Sequence, residues 1–355
     1  MINFMENYDI DFVVPWVDGQ DPLWRKKHNV FSNKDSLAKA SGKKAALNEN
    51  ASDSDSRYRD YGTLRYWFRA VEKFAPWVHK IYLITDNQRP NWLNLENPKI
   101  VVIDHRDIIK EKYLPTFNSN VIESAIGNIK NLSEHFVLFN DDIFINKPTK
   151  KTDFFKKGLP RDYFVVHPFF PEAWTAHFNT NNLIAINNTF SKHEVTKKNF
   201  FKIYNFKYGK WLLDNLLTTP YRRFPGFLDL HCSIPYLKDD YNFFINKYDD
   251  EYQKMLTHKF REYGDISHWI IRYSRLCSGR FFPQTTNFGK LYYLDQINKL
   301  EEEILNSKHK VICINDRDDL SQKQENFFSK KVIVFLKNKF PDSSSFESDS
   351  KLRME

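Results

Sequence analysis

The chain has 355 residues, 41% hydrophobic and 16% aromatic, enough to bury a sizeable core and too apolar for a disordered polypeptide. No stretch approaches the roughly 20 apolar residues of a membrane helix, and the three cysteines (Cys232, Cys277, Cys313) lack metal-ligand spacing and fit a reducing compartment. The net charge of +8 favours an anionic partner: a nucleotide, a phosphorylated substrate, nucleic acid or an acidic membrane face.

The opening "MINFMENYDIDFVV" carries acidic residues where a signal peptide needs basic ones, so the expectation is a cytoplasmic protein able to rest on the inner face of the membrane. "DIDFVVPWV" (9–17) reads as a buried strand, with Asp18 and Asp21 around a Gly turn directly after it. The polar, low-complexity stretch of about 31–57 reads as a mobile loop. In "GTLRYWFRAVEKFAPW" the spacing of Leu64, Phe68, Val71 and Ala75 predicts a helix that Pro76 ends. Arg65 and Arg69 share another face of it, either as phosphate-gripping forks or as a solvated face with an Arg69–Glu72 pair. "KIYLITD" and "KIVVID" are further strands, and "NSNVIESAIGNIKNL" is an amphipathic helix capped by Asn118 or Ser119. "HFVLFNDDIF" is a strand that stops on Asn140, Asp141 and Asp142.

Strands alternating with helices imply a mostly parallel sheet, and such sheets bind ligands at the carboxyl ends of their strands. Those ends carry Asp18, Asp86, Asp104 with His105, and the Asn140–Asp142 group. Two adjacent carboxylates there suit Mg²⁺ or Mn²⁺ beside nucleotide phosphates, because hard cations take oxygen ligands; a simple Asn/Asp turn is the plain alternative.

Beyond residue 150 the chain is aromatic-rich, with helices predicted over 191–217, 238–256, 262–278 and 289–307. "KVICINDRDD" (310–319) is an apolar strand ending in Asn315–Asp316, placed to return to the sheet. His231 in "DLHCSIPYLKDD" stands before a turn as a candidate proton acceptor or a structural histidine. "THKFREYGDISHW" offers Arg261, Asp265 and His268, with a helix cap at Asp265 as the alternative. With only 10 glycines there is no phosphate-cradling loop, which argues against a P-loop enzyme or a dinucleotide-binding dehydrogenase.

Taken together, these segments resemble the Stealth family of sugar-1-phosphate transferases. "DIDFVVPWVDGQDPLW" is similar to its first region, and 57–145 to its second. "LHCSIPYLKDDYNFF" through "HKFREYGDISHWIIRYS" resembles the third, and "ICINDRDD" with "FPDSSSFE" the fourth. The resemblance implies a Rossmann-like, glycosyltransferase-A-like α/β fold, mostly parallel, with helices on both faces and a helical aromatic-rich insertion. It divides the chain into a nucleotide-sugar-binding half (1–150), a variable acceptor-side insertion (151–228), the rest of the catalytic domain (229–347) and a tail (348–355).

The implied reaction moves a hexose- or N-acetylhexosamine-1-phosphate from a nucleotide-sugar to a hydroxyl of a lipid-linked or polymeric glycan, freeing a nucleoside monophosphate. Asp141 and Asp142 are then assigned to the metal and Asn140 to its support. Asp11 and Asp18 fall on the donor side, Arg65 and Arg261 on phosphate oxygens, and Arg69 and Asn118 on the substrate side. His231 is the candidate base, with Asp265 and Asn315 orienting neighbours. Competing readings are an ordinary glycosyltransferase, which releases a nucleoside diphosphate, and a polyanion-binding protein. The scattered basic residues argue against nucleic acid, while peripheral membrane association stays compatible.

Overall fold

The computed structural model describes residues 8–40, 58, 60–171, 176–316 and 320–348. Four apolar runs form parallel strands: β1 (Ile10–Pro15), β2 (Ile81–Thr85), β3 (Ile100–Asp104) and β4 (His135–Leu138). After β4 the chain turns into β5 (Ile143–Ile145), then a short hairpin of β6 (Phe155–Lys156) and β7 (Leu159–Asp162). Much later β8 (Ile234–Leu237) pairs antiparallel with β4 and completes a sheet of order β3-β2-β1-β4-β8.

Alternate residues of β1 serve two cores. Ile10, Phe12 and Val14 pack on one side with Trp67 and Phe68 of the Leu64–Phe74 helix, while Val13 packs on the other with Ile84, Phe136 and Ile270. Both faces being covered is why the strand reads as a continuous apolar run. The mostly parallel α/β architecture expected from the sequence is therefore present.

Several details differ from the sequence reading: the helix expected over 262–278 spans only Trp269–Cys277, and the one expected over 191–217 is broken into short helices. The segment after β1 is helical from Pro22 to Ala40, so the first part of the expected 31–57 loop is helix, and 41–57 lies outside the described residues. The expected helix over 289–307 begins as β10 (Gly289–Tyr293) and becomes helical only at Ile297–Asn306, after the two-residue β9 (Phe282–Pro283). The 310–319 strand, β11 (Val311–Asn315), does not return to the main sheet. It joins β10 in parallel and β5 in antiparallel to make a second sheet.

The 151–228 segment is tied into the rest of the chain by one buried charge cluster. Asp162, at the end of β7, accepts from Arg272 Nη2 at 2.8 Å and Arg275 Nη2 at 2.6 Å. Burial pushes Asp162 up, but the two guanidiniums outweigh it and hold the carboxyl below its ordinary range. Arg275 also faces Asp240 at 3.5 Å, so two cations meet two anions and none is buried unpaired.

Candidate active site

The acidic rim is assembled by strand direction. Leu138 of β4 pairs with Ile234 of antiparallel β8, so the residues leading into β8 arrive where β4 leaves the sheet. In the second sheet Cys313 of β11 lies opposite Ile143 of β5, and the Ile314 N–H donates to the Asp142 carbonyl at 2.9 Å. Three segments distant in sequence, 139–142, 229–233 and 313–316, thus converge.

At their junction a carboxylate oxygen of Asp142, a ring nitrogen of His231 and the Cys313 sulfur lie within 4.8 Å of one another. The Cys313 Sγ–H donates to Asp142 Oδ2 at 3.2 Å. Burial and the adjacent Asp142 push this thiol well above its usual range, which suits it to donate to that carboxylate. Asp142 Oδ1 is buried and, among the described residues, receives no hydrogen bond. An orphaned carboxylate oxygen beside a second carboxylate is what a hard cation would satisfy.

Asp141 is pushed up to about 8, first by burial, then by the charges of Asp142 and Asp60. Asp60 is itself raised, by burial and by Asp18. These couplings run from the end of β1, through Asp60 and Asp141, to Asp142, which interacts in turn with His231 and Glu123. Asp18, Asp60, Asp141, Asp142 and His231 are therefore linked through their charges.

His231 is held in the left-handed region, with φ of 47°, uncommon outside glycine. The Asp229 side chain fixes that turn by accepting from the His231 N–H at 2.7 Å. The imidazole stacks over Trp269, centroids 6.5 Å apart, and Arg272 reaches from the buried cluster to within 5.5 Å of the same indole. The strained backbone, the Asx turn and the stack leave the ring few alternative positions.

On the far side of His231, Glu123 from the Ser119–Ser124 helix pairs with His268 Nδ1 at 2.7 Å. Burial pushes Glu123 up, yet His268, Arg261 and His231 hold it below the ordinary carboxylate range. Arg261 donates to the Ser119 hydroxyl. It is thereby held beside the rim by its own loop and by the start of that helix.

The remaining sequence candidates sort by geometry. Asn140 lies two residues past the end of β4, beside Asp141, and Asn315 ends β11, one residue past the Ile314 that bonds Asp142. Asp265 is buried and receives His258 Nδ1 at 2.5 Å, Asn118 Nδ2 at 2.7 Å and its own turn's Glu262 N–H. Asn118, also buried, caps the Ser119–Ser124 helix. Asp265 thus engages its own turn, His258 and Asn118, in keeping with the orienting role expected of it, and Asn118 is engaged by Asp265 and by the helix it caps. They lock the Arg261 loop against that helix.

Asp11 is at the wrong end of β1. It is buried and bound by His79 Nδ1 at 2.8 Å and the Ser133 N–H at 2.7 Å, tying strand starts together opposite the rim. Arg69 also leaves the list. Arg69 grips both oxygens of Glu347 at 2.7 and 2.8 Å and the Phe340 carbonyl at 2.9 Å, while Arg65 stands 3.5 Å from Glu347. Arg69 pins the C-terminal segment and has its guanidinium engaged there, whereas the half-exposed Arg65 stands only at the edge of the same contact. Arg69→Ala should cost about 1–3 kcal/mol of stability in denaturant melts while leaving turnover within about twofold.

The His258–Asp265 pair gives a pH prediction. Asp265 raises the imidazole above 6.5, against the pull of burial. That stabilisation is fully present below pH 6.5 and is lost as pH rises through the raised value. His258→Asn should therefore lower the melting midpoint at pH 6 and much less at pH 9.

Sequence reasoning passed over Asp60, Glu123, Asp229 and Cys313. Asp229 carried a usable signal, an Asx residue two before the histidine it supports. Glu123 carried a second, as the one acid of its short helix, directly after the apolar pair Val121–Ile122.

Comparison with known proteins gives three matches to family models. Residues 8–36 match Stealth protein conserved region 1, 57–162 match conserved region 2, and 302–355 match conserved region 4. The capsular polysaccharide phosphotransferase WcwK of Streptococcus pneumoniae is 42% identical over 350 residues, covering 97% of this chain and 99% of that protein. The exopolysaccharide phosphotransferase cps2G of Lactiplantibacillus plantarum is 40% identical, covering 96% of both. The receptor polysaccharide phosphotransferase WefC of Streptococcus oralis is 37% identical, covering 95% of this chain and 99% of that protein. The glycosyltransferase GlyE of Streptococcus pneumoniae TIGR4 aligns over 92% of this chain and 84% of its own at 12% identity, with a TM-score of 0.25 that carries no argument.

Proposed function

The chain belongs to the Stealth family, and on that premise we propose that it is a capsular or exopolysaccharide phosphotransferase. It moves a hexose- or N-acetylhexosamine-1-phosphate from a nucleotide-sugar, a UDP-sugar in the simplest case, to a hydroxyl of a glycan acceptor. The acceptor oxygen attacks the phosphorus that bears the sugar, the bond from that phosphorus to the bridging oxygen breaks, and a nucleoside monophosphate departs with that oxygen.

The observation that carries this reading is the convergence of Asp141, Asp142, His231, Glu123 and Arg261 at one rim. Phosphoryl transfer asks a protein mainly for positioning and charge stabilisation, and these groups are of the required kinds. His231 takes the proton of the attacking hydroxyl. Glu123, whose carboxyl His231 helps hold below the ordinary range, lies within electrostatic reach of that ring. Arg261, steadied by Ser119, donates to phosphate oxygens of the donor.

Asp141 and Asp142 are the residues that would hold Mg²⁺ or Mn²⁺, since oxygen donors suit a hard cation and the orphaned Asp142 Oδ1 would gain a partner. When bound, the ion offsets the charge of the diphosphate. A lipid-linked repeat unit is the acceptor class we favour.

The test is to incubate purified protein with a panel of nucleotide-sugars, Mg²⁺ and lipid-linked acceptor, and to identify the nucleotide freed. A monophosphate supports the reading. A diphosphate makes the protein an ordinary glycosyltransferase and overturns it.

A further inference from the structure

Residues 197–223, just before the His231 loop, hold seven basic side chains and a single acid, a net +6 in a chain whose total is +8. The one acid, Asp214, is already paired with His167 at 2.6 Å. The same segment displays apolar groups to solvent. Phe201 is 84% exposed, Phe206 91% and Leu217 64%. Leu213, Leu216 and Leu217 occupy i, i+3 and i+4 of the Leu212–Thr218 helix, and so share one side of it.

These groups sit on a fixed unit. Asn215 donates to the Ile203 carbonyl at 2.7 Å and the Phe164 carbonyl at 2.8 Å, and the Tyr204 and Thr219 hydroxyls meet at 2.6 Å. The Phe200–Ile203 and Leu212–Thr218 helices are thus held side by side, and the chain between them carries Phe206. Among the described residues no helix is long and apolar enough to cross a membrane.

We propose that this unit docks on the surface of an anionic lipid bilayer, with Phe201, Phe206 and the leucines entering the headgroup–acyl boundary and the exposed Lys197, Lys198, Lys210 and Arg222 meeting lipid phosphates, while Lys202, Lys207 and Arg223 donate to carbonyls of the chain itself. Rings and leucines surrounded by Lys and Arg match an interface in both of its components, apolar depth and negative charge. A second copy of the chain fits poorly, because a two-fold contact would set +6 against +6. The proposal stands on exposure and charge, independently of the reaction assigned above. It gives the 151–228 segment a role of its own: holding the catalytic rim at the membrane.

The experiment is co-sedimentation of the full chain with phosphatidylglycerol-containing vesicles and with pure phosphatidylcholine vesicles. The wild type should bind the former in a salt-sensitive manner and the latter weakly. The triple variant Phe201→Ser, Phe206→Ser, Leu217→Ser should lose at least about tenfold in partitioning, with an unchanged melting midpoint, because all three side chains face water in the free protein. Failure of the wild type to bind either vesicle, or a triple variant that sediments like the wild type, overturns the proposal. So does a wild type whose dimer becomes monomeric in the variant, which would make the face a contact between copies.

Discussion

Asp141→Asn should give a protein more heat-stable than the wild type at pH 8.5, yet slower in transfer by about 10²–10³-fold. The two effects have one cause. In the folded chain the Asp141 carboxyl is pushed up to about 8 from 3.8, by burial and by the charges of Asp142 and Asp60. The folded state therefore binds a proton more readily than the unfolded chain, and stability is lost as pH climbs from about 4 through about 8. Asparagine cannot ionise and escapes that loss. Melts in chelator should show the midpoints of variant and wild type close together at pH 4.5 and separating up to pH 8.5. Added Mg²⁺ should raise the wild type more than the variant. A variant that is less stable at pH 8.5, or that retains wild-type turnover, contradicts the account. A site that stores unfavourable charge for use on substrate commonly trades stability for activity.

His231→Asn is the second large effect, expected at about 10²–10⁴-fold in kcat with KM little changed, as for loss of a general base. Asparagine is the informative choice because it tolerates the left-handed backbone that His231 adopts at φ of 47°. Alanine would add backbone strain to the chemical loss and blur the reading. The melting midpoint of the Asn variant should stay near that of the wild type. A twofold change in kcat would remove His231 from the chemistry.

What could be read from the sequence was local. Runs such as "DFVV" and "HFVLF" announce strands covered on both faces, and acids immediately after them announce a polar edge, because each signal lies within a few residues. Partnerships across long separations were hidden. Arg69 looks the same in sequence whether it faces a phosphate or Glu347, which is 278 positions away. The pairing of β11 with β5 instead of the main sheet follows from non-local register, which no short window contains.

Asp11 shows a different failure. On a parallel strand, a residue at the start lies at the opposite edge from one just past the end, so Asp11 and Asp18 never shared a site despite sharing a motif. Strand direction alone would have separated them. His231 was found as a residue type, but the features that fit it for its role came only with three-dimensional contacts. Those are its strained backbone, the Trp269 stack and the neighbouring Glu123.

Everything rests on the adjacent Asp141 and Asp142 carboxylates, with Arg261 and His231 from distant segments, holding a cation and a diphosphate at one place. The most direct measurement is anomalous diffraction from crystals of the wild type grown with Mn²⁺ and a non-reactive nucleotide-sugar analogue. The account predicts one manganese peak bonded to oxygens of Asp141 and Asp142, with the diphosphate lying between it and the Arg261 guanidinium, and His231 facing the phosphorus that bears the sugar. Manganese and nucleotide bound elsewhere on the chain, with the Asp141–Asp142 pair left unliganded, would contradict it.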